Sequence, residues 1–219
     1  MAALIGILTV AGGWNTRAAA APADNCAPPG IASASAAPTN LAAADTGAVD
    51  RYTTPTVTPL DQIDTGALGL SKPGTISVGT LSDAGPSICV NGKGVFTGFD
   101  NELLKAIADK LHLKIKFSGT EFAGLLSQVA NHRFDVGSSS ITTTDARRQT
   151  VAFTNGYDFG YFSLVVPTDG SIHGFGQLGK STRIGVVQGT VQDDYVVNTL
   201  HLDPVKFPDY ATAYANLKS

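Results

Sequence analysis

Charge is scarce in this chain of 219 residues: only 15% are Asp, Glu, Lys or Arg, and fifteen basic residues face eighteen acidic ones. A formal charge of −3 leaves no basic surplus to neutralise phosphates, which argues against nucleic acid as a partner. No uninterrupted apolar run reaches the ~18 residues of a conventional membrane span, so any association with a membrane is expected to be peripheral. Two cysteines and four scattered histidines are too few for a structural zinc site or an iron–sulfur cluster, and no cofactor is expected. What the chain does have is apolar residues, 43% of the total, over a length that allows one large domain or two small lobes with a real core.

The average conceals two different halves. The first lysine is Lys72, and the segment before it is rich in Ala, Pro and Thr. Residues 1–25 read as a signal-like leader: Ala2 to Ala11 has the size of a signal-peptide core, and Ala18 to Ala21 supplies small residues for cleavage. Only Met1 precedes that core, so the usual positive region is missing; export is the expectation, an apolar accident in an Ala-rich leader the alternative. Residues 26–72 read as a tether, because a run such as Ile31 to Ala44 cannot bury enough surface to offset its ordering entropy. Cys26 leaves three readings open. An even cysteine count in an exported chain favours a disulfide with Cys89. A lipid anchor normally follows a pattern such as Leu-Ala-Gly, whereas Ala23-Asp24-Asn25 stands here, and two unrelated thiols are the third reading.

From Pro73 onward the periodicity is that of an α/β fold. Thr75 to Gly79 alternates as a strand and breaks into a loop with turn signals at Gly85-Pro86 and Asn91-Gly92. Asp100 is placed to cap a helix whose apolar stripe is Leu103, Leu104, Ile107, Ala108 and Leu111. Leu113 to Phe117 alternates again, Phe122, Leu125, Leu126, Val129 and Ala130 stripe a second helix, and Phe134-Asp135-Val136 returns as a strand. Strand, helix, strand, helix, strand predicts a parallel sheet with crossover helices, and ligands of such sheets sit beyond the carboxyl ends of the strands. There the chain reads Gly137-Ser138-Ser139-Ser140-Ile141-Thr142-Thr143-Thr144-Asp145-Ala146-Arg147-Arg148. Hydroxyls and backbone N–H groups can satisfy an ammonium or a carboxylate, and Arg fits a carboxylate with two prongs. A loop that merely caps a helix at Thr144, with Arg147 in solvent, fits the same residues.

Gly98-Phe99-Asp100-Asn101-Glu102-Leu103 followed by Ala106-Ile107-Ala108 resembles the signature of the family 3 extracellular solute-binding proteins, the amino-acid receptors of ABC importers. Phe134-Asp135-Val136, Thr142 to Arg147, Val151-Ala152-Phe153-Thr154 and Arg183 to Thr190 extend the likeness in order, from about Pro73 to the end. The resemblance implies a type II periplasmic-binding-protein fold, two α/β lobes that close over one amino acid, here residues 73–161 and a partial second lobe 162–219. Within that lobe, strands are expected at Phe162 to Val166 and Arg183 to Val187, and helices at Thr190 to Leu200 and Tyr210 to Leu217. It implies that Arg147 holds the ligand α-carboxylate, and that Thr142 and the backbone of Ser140 bind the carboxylate or the α-amino group. Thr190 would offer its N–H at a helix N-terminus. Phe122 would pack on the ligand side chain, and Gln192 aligns with a position that contacts ligand in some members. Purely structural readings stand beside these: Phe122 as core, Gly189-Thr190 as a helix cap, Arg148 as a solvated neighbour.

Three departures from the family pattern matter. Asn101 stands where an aliphatic residue is usual, and Leu81 and Ala84 occupy the first-loop positions that commonly bring an acid and an aromatic to the ligand, with Ser82 and Asp83 beside them. The chain also stops before the strand carrying the Asp that binds the α-amino group, so a C-terminally truncated receptor with weakened affinity is expected. The function this implies is an extracytoplasmic, monomeric receptor, secreted or tied to the cell envelope, that passes a polar amino acid resembling glutamine or glutamate to an ABC permease. A dehydratase of prephenate-like acids on the same fold is the enzyme alternative. A hydrolase built on His132, Asp135 and Ser138 to Ser140 is disfavoured, since no Gly-x-Ser-x-Gly elbow exists.

Overall fold

The computed structural model describes residues 25–26, 57–158 and 162–217. The leader and most of the expected tether therefore lie outside the described residues. The tether's last residues dock on the domain: two 3₁₀ turns, Leu60–Gln62 and Thr65–Leu68, lead to Leu70, which packs on the first core.

That core is built on β1 (Thr75–Thr80), flanked by β5 (Lys114–Gly119) and β6 (Val136–Gly137), all parallel, in the order β5-β1-β6. Ile76 pairs with Ile115, and Val78 with both Phe117 and Val136. The central strand is covered on both faces, which explains why its pattern is less alternating than an edge strand's. Helix α1 (Phe99–Lys110) lays Ala108 and Leu104 on one face beside Ile76 and Val78. Helix α2 (Phe122–Ala130) brings the fully buried Leu125 over Gly79, where an added Cβ would fall on the Phe134 ring and 2.8 Å from Leu125. No side chain fits at Gly79 without moving the core.

The segment read as a loop instead forms a small antiparallel sheet, β2 (Asp83–Ala84), β3 (Ile88–Val90) and β4 (Phe96–Thr97). Its turn is locked by Asn91, whose Oδ1 accepts from the N–H groups of Lys93 and Val95. The structure joins Cys26 to Cys89 on β3 with 4.9 Å between their Cα atoms, and the Asn25 N–H donates to the Val90 carbonyl. Asp100 does not cap α1. Gly98 is the N-cap residue, and the buried Asp100 turns its carboxylate inward.

The second lobe holds two parallel strands, β7 (Gly185–Val187) and β8 (Val205–Phe207), with α4 (Val191–Asp194) running into a π-helical turn Tyr195–Thr199. Helix α5 (Tyr210–Leu217) follows. The expected helix from Thr190 to Leu200 is thus wound in two pitches. The strand expected at Phe162 to Val166 does not form among the described residues. Phe162 and Val165 are largely exposed, and no neighbouring strand offers them a ladder. Ile184, Val186 and Val196 make a separate core, while Val187 crosses to join Leu81, Ile88 and Phe122, with Tyr210 packed against them.

Candidate functional site

Three chain segments that follow the carboxyl ends of β1, β6 and β7 come together: Leu81 to Asp83, Ser138 to Thr144, and Gln188 to Thr190. Two of them are tied together by the Leu81 N–H, which donates to the buried Ser139 Oγ at 3.0 Å. This is the crevice in which parallel α/β sheets hold ligands.

Arg147 sits at its centre. Thr144 caps a single turn, α3 (Asp145–Arg148), accepting the Arg147 N–H at 3.2 Å and fixing where that side chain starts. The guanidinium then reaches across the crevice: Nη1 donates to the Thr142 carbonyl at 2.7 Å, and Nη2 to the Gly189 carbonyl of the second lobe at 3.0 Å. It lies 5.2 Å from the centre of the Phe122 ring, a cation–π contact. Burial lowers the pKa of Arg147 and the charge of Asp194 raises it. An arginine so placed stays a cation at any physiological pH.

The other expected residues divide. Phe122 is buried at the start of α2 and belongs both to the cluster shared by the lobes and to the Arg147 contact. Thr142 is exposed and contributes its carbonyl. Ser140, at φ 45°, is held in a left-handed conformation by Asp100, whose Oδ2 accepts from its N–H at 2.8 Å and its Oγ at 3.0 Å. Asp100 also faces Tyr157, whose phenol is pushed up to about 12 by burial and by that charge. Thr190 caps α4: its N–H and Oγ both donate to the Val187 carbonyl, and its Oγ accepts the Asp193 N–H. Gly189 needs its positive φ of 79° and lies against Ala123, where a Cβ would approach the Cα to 3.2 Å. Gln192 is half-buried on α4, and no hydrogen bond ties it to Arg147 among the described residues. Phe122, Thr142, Arg147 and the Gly189-Thr190 turn are therefore one group, with Ser140 anchored beside it.

Sequence reasoning missed a second bridge between the lobes. The Asp83 carboxylate, on β2, accepts the Ala211 N–H at 2.6 Å at the start of α5. Burial pushes its carboxyl above the usual range, the Ala211 N–H pulls it down, and the charge of Asp209 pushes it up again. The one signal in the sequence was its place beside the two departed first-loop positions. Next to Asp83 opens a cavity of about 490 Å³, lined in part by Ser82, Thr120, Glu121, Gln128 and Asp209.

A crevice between two α/β lobes, floored by hydroxyl-rich loops and crossed by one arginine, defines a binding protein of the periplasmic type. The chain belongs to the bacterial extracellular solute-binding proteins, family 3, whose family model matches residues 76–212. It is 26% identical over 148 residues to the lysine/arginine/ornithine-binding periplasmic protein of Escherichia coli, covering 66% of this chain and 57% of that one. It is 32% identical over 124 residues to a probable histidine-binding protein of Campylobacter jejuni, covering 55% and 46%. Among solved structures, an arginine-specific periplasmic binding protein of Salmonella typhimurium superposes with a TM-score of 0.62 at 26% identity, over 66% of this chain and 64% of that one. An ancestral amino-acid-binding protein, a precursor of cyclohexadienyl dehydratase, superposes with a TM-score of 0.63 at 28% identity, over 66% of each chain. The chain thus spans roughly half to two thirds of the length of these relatives.

Proposed function

We propose that this chain is the ligand-binding part of an extracytoplasmic receptor for a polar L-amino acid, which it passes to an ABC importer. The observation that carries the reading is Arg147. Its two outer nitrogens donate to backbone carbonyls of opposite lobes, at 2.7 and 3.0 Å, in a crevice that gives it no carboxylate partner among the hydrogen bonds of the described residues. Neutral carbonyls are weaker acceptors than a carboxylate, so an incoming α-carboxylate that takes both prongs gains charge-assisted bonds and still links the lobes. Thr142 lies exposed beside that position, whereas the Ser140 N–H and Oγ stay on Asp100, and Phe122 offers an apolar face for the ligand's carbon chain. Residues 73–161 then act as the first lobe and 162–219 as part of the second. The relatives' names agree on amino acids as the class of ligand while differing in the side chain. Between the two side chains expected from the sequence, glutamine fits better than glutamate, because the neighbouring cavity already presents Asp83, Glu121 and Asp209.

The test is thermal unfolding of the chain with each of the twenty L-amino acids. A ligand that binds only the folded form raises Tm by mass action. A shift with one or a few polar amino acids, lost in Arg147→Met, is the expected result; a cooperative melt that no amino acid moves overturns the reading. The dehydratase alternative has one point of contact with the similar structures, an ancestral amino-acid-binding protein that is a precursor of cyclohexadienyl dehydratase. It demands that the protein deplete a prephenate-like acid, whereas a receptor binds it stoichiometrically or not at all.

A further inference from the structure

The Gly189 carbonyl that Arg147 reaches belongs to a peptide whose other end is also occupied. In a trans peptide the C=O of one residue and the N–H of the next point to opposite sides. The Thr190 N–H turns back to the Val187 carbonyl at 3.4 Å, so the Gly189 carbonyl faces away from its own strand, and Arg147 Nη2 meets it at 3.0 Å. Val187 to Thr190 is thus a tight turn, with Gly189 third and at a φ of 79°. Its closing bond is longer than an ordinary N–H···O bond and cannot hold the turn alone. Asp193 braces the turn from both ends. Its Oδ2 accepts the Gly189 N–H at 3.0 Å, and its own N–H donates to Thr190 Oγ at 3.2 Å, a hydroxyl that in turn donates to the Val187 carbonyl at 2.8 Å. Asp193 is only 6% exposed, and Lys206 on β8, 3.0 Å from Oδ1, supplies the counter-charge that a buried carboxylate needs. The Gln188 N–H donates to the carbonyl of Phe207, the neighbour of Lys206, so β8 anchors the turn at two points.

We propose that Asp193 is a positioning residue for the arginine bridge between the lobes: by holding the Gly189–Thr190 peptide it aims the Gly189 carbonyl at Arg147. It thereby fixes where the second lobe's turn enters the crevice. Asp193 meets Arg147 only through Gly189 among the hydrogen bonds of the described residues, so its effect on the guanidinium is indirect. The inference goes beyond the amino-acid reading and needs no ligand, so either can fail without the other.

A double-mutant cycle on the ligand-free chain tests it. Amide hydrogen exchange between residues 184 and 207 reads how well the second lobe is docked. The nitrogen NMR signals of the Arg147 guanidinium read the bridge, because Nη1 and Nη2 separate only while their bonds slow rotation of the group. Arg147→Met and Asp193→Ala are each expected to speed exchange about tenfold, as loss of one charge-assisted hydrogen bond would, while the double variant exchanges little faster than either. Asp193→Ala is also expected to merge the Arg147 Nη signals, which loss of a mere helix cap would not do. Asp193→Asn removes the charge but keeps an acceptor for the Gly189 N–H, and the half-exposed Lys206 can turn to solvent. It is expected to keep the separate Nη signals, and it keeps the test decisive if circular dichroism shows that the alanine variant does not fold. Single effects that multiply to about a hundredfold in the double variant would make Asp193 and Arg147 independent and overturn the proposal. So would Nη signals that Asp193→Ala leaves unmoved, or signals already merged in Asp193→Asn.

Discussion

The two lobes are built to different standards. The first has a three-stranded parallel sheet, a helix on each side of it, an added antiparallel sheet and a disulfide to Cys26. The second has two strands of three residues each, a helix that changes pitch after four residues, and a three-residue core of Ile184, Val186 and Val196. Several of the second lobe's ties run across the crevice: Val187 and Tyr210 into the Leu81 cluster, Ala211 onto Asp83, Gly189 onto Arg147. The lobe with the stronger core thus carries Arg147, and the weaker one is held in place by the same crevice that would hold a ligand. On the proposed reading, ligand binding and folding are coupled there, and the coupling is asymmetric.

Cutting each core in turn breaks the comparison most severely. Leu125→Ala, at a fully buried position beside Gly79 and Gly137, is expected to cost about 3 kcal/mol and to lower the stability of the whole molecule. Ile184→Ala is expected to raise amide hydrogen exchange between residues 184 and 207 while leaving β1 and β5 protected. Equal deprotection of both lobes by Ile184→Ala would show that they unfold as one unit and that the asymmetry is only geometric.

Acid acts on the first lobe through Asp135. Burial pushes its carboxyl up, but the N–H and hydroxyl groups of Ser71 and Ser77 donate four hydrogen bonds to it and hold it down at about 2. A folded pKa below the ordinary 3.8 adds stability that is complete above that value and disappears as pH falls through about 2. Asp135→Asn should therefore cost about 1–2 kcal/mol at pH 7, since it weakens bonds to a charged acceptor, and the gap from the wild type should close as melts are taken toward pH 2. A gap that stays constant with pH would mean the carboxylate's charge contributes nothing. Ser71 comes from the stretch read as tether, so the same variant tests whether that stretch is docked.

Much of this was legible in the residues. The stripes of α1 and α2 and the alternation of β1 and β5 predicted those elements, because each is long enough to show a period. The antiparallel sheet was not legible: strands of two or three residues, such as Asp83–Ala84 and Phe96–Thr97, have no period to read. Phe162 to Val166 misled for the opposite reason, an apolar run with no partner strand to make it a ladder. At the candidate site, Arg147 and the hydroxyl loop were marked by their place after β6, while Phe122 entered only through the family resemblance. Asp83 was marked by neither, because its contact with Ala211 spans 128 positions and exists only once both lobes are folded. Asn101, a departure from an aliphatic pattern, proved fully buried with its Nδ2 donating to the Thr97 carbonyl, so the hydrogen bond replaces part of what the apolar side chain would have given.

The smallest test uses a feature both lobes share. Helices commonly stop at a residue with positive φ, usually glycine. Here the residue is histidine each time: His112 after α1 at 54°, His132 after α2 at 57°, and His201 after the π-helical turn at 53°. After α1 the His112 N–H donates to the Asp109 carbonyl and the Leu113 N–H to the Ala108 carbonyl, so the left-handed residue is what lets the helix end satisfy its carbonyls. A side chain in that conformation costs roughly 1 kcal/mol that glycine avoids, less the greater entropy glycine loses on folding. His112→Gly is thus expected to stabilise the first lobe by about 0.5 kcal/mol, raising the global Tm slightly. His201→Gly makes the same local change in the weaker lobe, where it should slow hydrogen exchange around residues 196–202 without moving the protection of β1. If instead His201→Gly raised Tm as much as His112→Gly, the second lobe would be limiting for global unfolding, and the order of strength argued from its short strands and small core would be reversed.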